Sequence, residues 1–121
     1  MVEPWVSTWS KVVFTRLHHE PFLPTAADWS IPSSGPLSGA NGALPWIVFR
    51  RDRSRFGAEF PQLHISEIRP MMPLRYLVSG GVAMRDLMPG QLYGLWGALE
   101  AILSPWIGRT AMFALIDIER R

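Results

Sequence analysis

The sequence predicts an α/β fold, on three observations. Residues 110–119 hold a continuous apolar run, Ala111-Met112-Phe113-Ala114-Leu115-Ile116, that passes into the alternation Asp117-Ile118-Glu119-Arg120, the pattern of a buried strand leaving the core. A second strand pattern, 63–69, sets Leu63 and Ile65 against His64 and Ser66. Between the two, Leu92, Leu95, Trp96, Leu99, Ile102 and Leu103 recur at i, i+3, i+4, i+7 spacing and predict a helix over 92–103 that packs its apolar stripe on the sheet.

The other elements follow in chain order. Val2-Glu3-Pro4-Trp5 reads as the end of a buried strand leaving into a loop, so the sheet is expected to begin upstream of these residues. Ser7 or Thr8 caps a short helix whose apolar residues Trp9, Val12, Val13 and Leu17 recur at helical spacing and which ends near His18-His19-Glu20, before Pro21. Residues 20–42 form a long loop rich in Pro, Ser and Gly, the length of a lid or binding loop; Trp29 and Ile31 argue against its being fully disordered. The apolar patch 44–49 fits strand or helix and is interrupted by Pro45. Asp52 is expected to cap a short helix with Phe56 and Phe60 on one side, stopped by Pro61. A turn at Gly80-Gly81 precedes the 92–103 helix, and Ser104-Pro105 ends it. There is no internal repeat and no second domain in 1–121, and two strands alone would make a marginal sheet.

Composition narrows the function classes. The 121 residues are 48% hydrophobic, enough for a modest core and too apolar for a disordered tail. With no cysteine, disulfides, thiolate metal sites and a cysteine nucleophile are excluded; the composition is compatible with a reducing compartment, and a cytoplasmic location is the expectation. The net charge is only +2, and no long basic stripe interleaved with aromatics suggests nucleic-acid binding. No apolar run approaches the ~20 residues of a membrane span, and no Gly-x-Ser-x-Gly elbow supports a hydrolase.

With the elements in this order, several segments are similar to the C-terminal region of class I S-adenosylmethionine-dependent methyltransferases of a bacterial branch. Val2-Glu3-Pro4-Trp5 resembles the end of that family's fifth strand. The resemblance extends through the run from Gly35-Pro36-Leu37-Ser38 to Leu44-Pro45-Trp46, the turn Leu77-Val78-Ser79-Gly80-Gly81-Val82, and the close Leu99-Glu100-Ala101-Ile102-Leu103-Ser104-Pro105 with Met112-Phe113-Ala114-Leu115-Ile116. It implies a partial Rossmann-like fold, one partial domain over 1–121, with an antiparallel C-terminal strand pair and two to four helices. The family's glycine-rich turn after strand one, its ribose-binding acid and its strand-four motif have no counterpart here. Gly39 and Gly42 follow a proline-rich loop and not a buried strand, so they do not replace that turn. S-adenosylmethionine is the parent family's cofactor, but this chain alone is expected to bind none, and no metal. The resemblance implies a C-terminal fragment or subunit that contributes acceptor-side and structural elements and is inactive alone. Its expected partner is an N-terminal half, or a second copy joined through an open sheet edge.

The candidate site residues are few. Glu3 and Trp5 leave a strand end, where open α/β sheets bind ligands; the alternative is a surface carboxylate and a packing tryptophan. Asn41, like Ser38, sits on the long loop and could orient an acceptor, unless it serves the turn. His18 and His19 are candidate general bases, since imidazole titrates near neutrality; a helix-end pairing with terminal carbonyls is the other reading. With Glu20 they form the only histidine-carboxylate cluster, and adjacent residues diverge too much for a metal site. Arg50, Arg51, Arg53 and Arg55 read as a solvated face, with phosphate or anionic lipid as the rival. A free-standing binding or protein-interaction module is the alternative function. A peripheral membrane protein is a more distant one, and membrane contact is not expected because the 92–103 helix lacks lysine and arginine.

Overall fold

The last strand of the chain is the middle strand of the sheet. In the computed structural model, which describes residues 1–18, 20–31, 35, 39–78 and 89–121, β1 (Val2–Pro4), β2 (Leu63–Met71) and β3 (Phe113–Arg120) form a three-stranded sheet in the order β1-β3-β2. β3 runs antiparallel to both neighbours. The expected antiparallel pair is therefore present, and the opening residues add a third strand: Glu3 lies opposite Ala114, and Pro4 opposite Phe113. Met1 and Ile116 exchange backbone hydrogen bonds at 2.7 and 2.8 Å, and Trp5 N donates to Met112 O at 2.9 Å.

The sheet's two edges differ. β2 carries a bulge between Ile65 and Glu67, where Ser66 Oγ donates to Asp117 O at 3.3 Å. It also holds Pro70, which removes one donor, and the Arg53 guanidinium donates to the Ile65 carbonyl at 3.1 Å. Bulges, proline and charge are the devices that blunt a strand edge. On β1 the alternation of an antiparallel ladder turns the backbone groups of Val2 and Pro4 away from β3, and Pro4 offers that edge an acceptor but no donor.

Around the sheet are short helices. α1 (Thr8–Arg16) starts at Ser7, whose hydroxyl accepts from Ser10 N at 2.9 Å while Ser10 Oγ accepts from Ser7 N at 2.7 Å, a reciprocal cap. It stops at Leu17, earlier than the predicted end. The ambiguous patch 44–49 is helical: α2 (Leu44–Trp46), with Pro45 in its first turn where a missing N–H costs nothing, widens into a π-helical turn, Ile47–Arg51. α3 (Arg53–Glu59) follows without a side-chain cap, because the Asp52 carboxylate is turned elsewhere. α4 (Arg75–Val78) follows Met72, which takes a positive φ of 54° as the chain leaves β2. A 3-10 turn, Gly90–Leu92, leads into α5 (Tyr93–Leu103), and a second, Ser104–Trp106, into α6 (Ile107–Thr110). The described residues thus hold more helical segments than the two to four expected, because α2, α4 and α6 are single turns that carry too little pattern to be read. The Gly80-Gly81 turn lies outside the described residues.

Two apolar clusters make the core. One joins Val13, Phe14, Phe22, Ala43, Ile47 and Met112; the other joins Trp5, Phe56, Ile65, Ala114 and Ile116. Met112 and Ile116 are completely buried. α5 departs from its sequence reading. Its one buried residue is Glu100, and Leu92, Leu95, Leu99 and Ile102 are exposed. No helix among the described residues is long and apolar enough to cross a membrane.

Candidate functional site

The carboxyl end of β1 opens on a cleft of about 240 Å³ that Glu3, Glu20, Ile31, Asn41 and Leu44 help to line. Two of the sequence candidates, Glu3 from the strand end and Asn41 from the long loop, meet there. Glu20 joins them, a residue the sequence reading placed only beside the histidines. Among the described residues lining the cleft the two carboxylates are the only charged groups, which favours a ligand that is cationic or rich in hydrogen-bond donors.

The cleft depends on the fastening of the 20–42 loop. Asn41 accepts from Leu23 N at 2.8 Å and from Ala43 N at 3.1 Å, and donates to Leu23 O at 2.8 Å, so its amide closes an 18-residue excursion. Gly42 N donates to Pro21 O at 2.8 Å beside it. Farther along, Arg51 donates to the carbonyls of Pro24 and Ala26 at 2.9 and 2.8 Å. Trp29 Nε1 donates to Asp52 Oδ2 at 2.9 Å, and the Arg55 guanidinium lies 4.2 Å from the Trp29 ring. The Asp52 carboxyl is drawn down to about 2, first by its hydrogen bonds from Arg51 and then by that from Trp29. Asn41 therefore presents its amide to the protein backbone and shapes the cleft by closing the loop.

His18 stands at the end of α1 and is not among the residues lining the cleft. Its Nδ1 accepts from Glu20 N at 3.3 Å, lies 3.9 Å from Glu20 Oε2, and its ring meets Phe14 edge-on at 5.6 Å. An Nδ1 that accepts an amide hydrogen leaves the proton of the neutral ring on Nε2, which makes the outer nitrogen a donor in that state. His19 and Ser38 lie outside the described residues. Tyr76, against Phe113 at 4.6 Å, has its hydroxyl pushed up by burial and then by the charge of Glu20.

Trp5 is 5% exposed and packs in the second core cluster, away from the cleft. All four arginines of the cluster are exposed, as a solvated face requires, and three of them have protein partners: Arg51 bonds Asp52 and the loop carbonyls, Arg53 bonds Ile65 O, and Arg55 bonds Glu59 at 2.6 Å. Among the described residues no group of three or more metal-ligating side chains comes together. The contribution of Glu20 was hard to find in the sequence, since it required knowing that the loop returns to the end of β1. No family model, no curated protein and no solved structure matches the chain.

Proposed function

We propose that these residues form the C-terminal, acceptor-side part of a class I S-adenosylmethionine-dependent methyltransferase-like domain, joined along β1 to the part that holds the methyl donor. The observation that carries the reading is the placement of Glu3 and Pro4: they end a strand flanked by the antiparallel β3 and open directly on a cleft. Ligands of open α/β sheets gather at such carboxyl ends. The bulge and the Arg53 contact on β2, which β1 lacks, together with the outward-turned backbone of Val2, favour continuation of the sheet on the β1 side.

The described residues do not fit the donor itself. No glycine-rich strand-turn-helix is present among them, and the amide of Gly42 is already given to Pro21 O. No step through the cofactor is assigned to this chain. Methyl transfer is an in-line displacement governed by positioning. The contribution of this chain is to orient the acceptor, with the Glu3 and Glu20 carboxylates accepting its hydrogen bonds and able to take a proton from it.

The test is calorimetric titration of the folded chain with S-adenosylmethionine or its demethylated product, alone and with any neighbouring gene product. Binding only in the reconstituted pair is the expected result. Binding by the isolated chain overturns the division of labour, and silence in both overturns the methyltransferase reading. A free-standing binding module is the second reading, favoured by one observation: described residues of this chain by themselves fasten the loop and line the cleft. Ligand binding by a cooperative monomer, without S-adenosylmethionine, would establish it.

A further inference from the structure

The apolar pattern that identifies α5 in the sequence is two stripes, and only one is used. Trp96, Leu103 and Ile107 are half-buried on the side of Glu100. Glu100 itself is buried, accepting from the amides of Leu74 and Arg75 at 3.0 and 2.8 Å and from Arg75 Nε at 2.5 Å. The other stripe is Leu92, Leu95, Leu99, Ile102 and Trp106, which are 40, 54, 37, 65 and 56% exposed. Leu95, Leu99 and Ile102 lie within α5 at the alternating four- and three-residue spacing by which one helix packs into another, and Leu92 and Trp106 extend the stripe from the flanking 3-10 turns.

Charge and area point to the same kind of occupant. Between Pro89 and Gly108 the only charged side chain is Glu100, which is turned inward and paired; Arg109 stands beside Trp106 at one end of the face, so two copies that meet antiparallel keep their arginines apart although the chain carries +2 overall. Five side chains of this size, each roughly half exposed, present on the order of 500 Å² of apolar surface, the upper end of what monomers leave in one patch. Covered in two copies, that is on the order of 1,000 Å² in total, the threshold of a specific interface. A lipid surface is a poorer match, because a helix lying on anionic headgroups carries lysine and arginine along its polar side, and α5 has neither.

We propose that α5 packs against α5 of a second copy of this chain about a two-fold axis, with Leu99, the midpoint of the seam, at the centre. A two-fold contact brings its central residue against itself, whichever way the helices run. The chain has no cysteine, so a single introduced thiol reports on that contact alone.

Sedimentation equilibrium of the full chain at tens of micromolar should give a dimer, and Leu95→Asp with Ile102→Asp a monomer of unchanged far-ultraviolet dichroism. Should those variants fold poorly, Leu99→Cys should still form an intermolecular disulfide under mild oxidation. A monomeric wild-type chain overturns the proposal. So does a dimer that survives both aspartates without cross-linking at 99, which would assign the contact to the sheet edge. A monomer that sediments with anionic vesicles gives the face to lipid and overturns it equally.

Discussion

Trp29 and Asp52 share a hydrogen bond of 2.9 Å across 23 residues of chain, and through it the long proline-rich loop is tied to the junction between the π-helical turn and α3. The sequence reading gave Asp52 to a helix cap. In the fold its two oxygens are taken by the Arg51 guanidinium and the Trp29 indole, and α3 begins uncapped. Replacing Trp29 with Phe keeps the ring beneath Arg55 but removes the donor. Hydrogen exchange of the amides near Ala26 should accelerate selectively, with a small fall in melting temperature. Unchanged protection there would show that Arg51, and not Trp29, holds this part of the loop.

The same carboxylate sets an acid limit. Asp52 titrates at about 2 in the fold against 3.8 in the open chain, so its contribution to stability is fully present above about pH 4 and is lost as pH falls toward 2. Denaturation midpoints measured from pH 6 to pH 2 should decline more steeply for the wild-type chain than for Asp52→Asn. Parallel curves would remove Asp52 as the cause.

Two ion pairs in the molecule should behave differently. Arg75 and Glu100 meet where the carboxylate is 8% exposed and also accepts two backbone amides, so Glu100→Gln should cost about 2 kcal/mol, and Glu100→Ala more. Arg55 and Glu59 are 50 and 43% exposed, and Glu59→Gln should cost no more than ~0.5 kcal/mol. Urea denaturation of the three variants decides it; equal losses would mean that burial is not what separates the pairs.

Around the cleft, Asn41 and Trp5 should separate shape from core. Asn41→Ala removes three hydrogen bonds at the loop closure and should cost about 1–2 kcal/mol while opening the cleft to solvent. Trp5→Ala empties a position in the second apolar cluster and should cost about 3–5 kcal/mol. If Trp5→Ala instead leaves stability intact and abolishes binding of an acceptor, the side chain belongs to the site after all.

Glu3→Gln and Glu20→Gln test the electrostatics of the cleft. Each should weaken binding of a cationic ligand to the cleft several-fold and leave the unfolding midpoint nearly unmoved. Equal weakening of a neutral acceptor would deny the carboxylates a role in charge recognition.

The strand patterns of 63–69 and 110–119 were legible because each buries alternate or continuous apolar residues, a signal carried by the residues themselves. Ser7 was legible as a cap because the competing hydrogen bond is local. The burial of α5 was misread because periodicity reveals that a helix has an apolar side, not which of two adjoining stripes meets the core; Glu100, the charged residue, is the one turned inward. Glu3 and Asn41 were legible as candidates by strand end and loop position. Their meeting with Glu20 was not, since it follows from the closure Asn41 makes with Leu23, a contact between residues too far apart in sequence to leave a pattern.

Of the three described strands, the one that joins the other two is the last to be synthesised. Val2 waits for Leu115, and Leu63 for Arg120, so until β3 emerges the first two strands have no partner between them, and closing Met1 to Ile116 spans almost the whole chain. Loop-closure entropy of that length slows folding, and the exposed strand edges are vulnerable meanwhile. Fragments ending before residue 113 should remain protease-sensitive throughout 1–71, and protection should appear in a single step in chains that include the eight-residue β3.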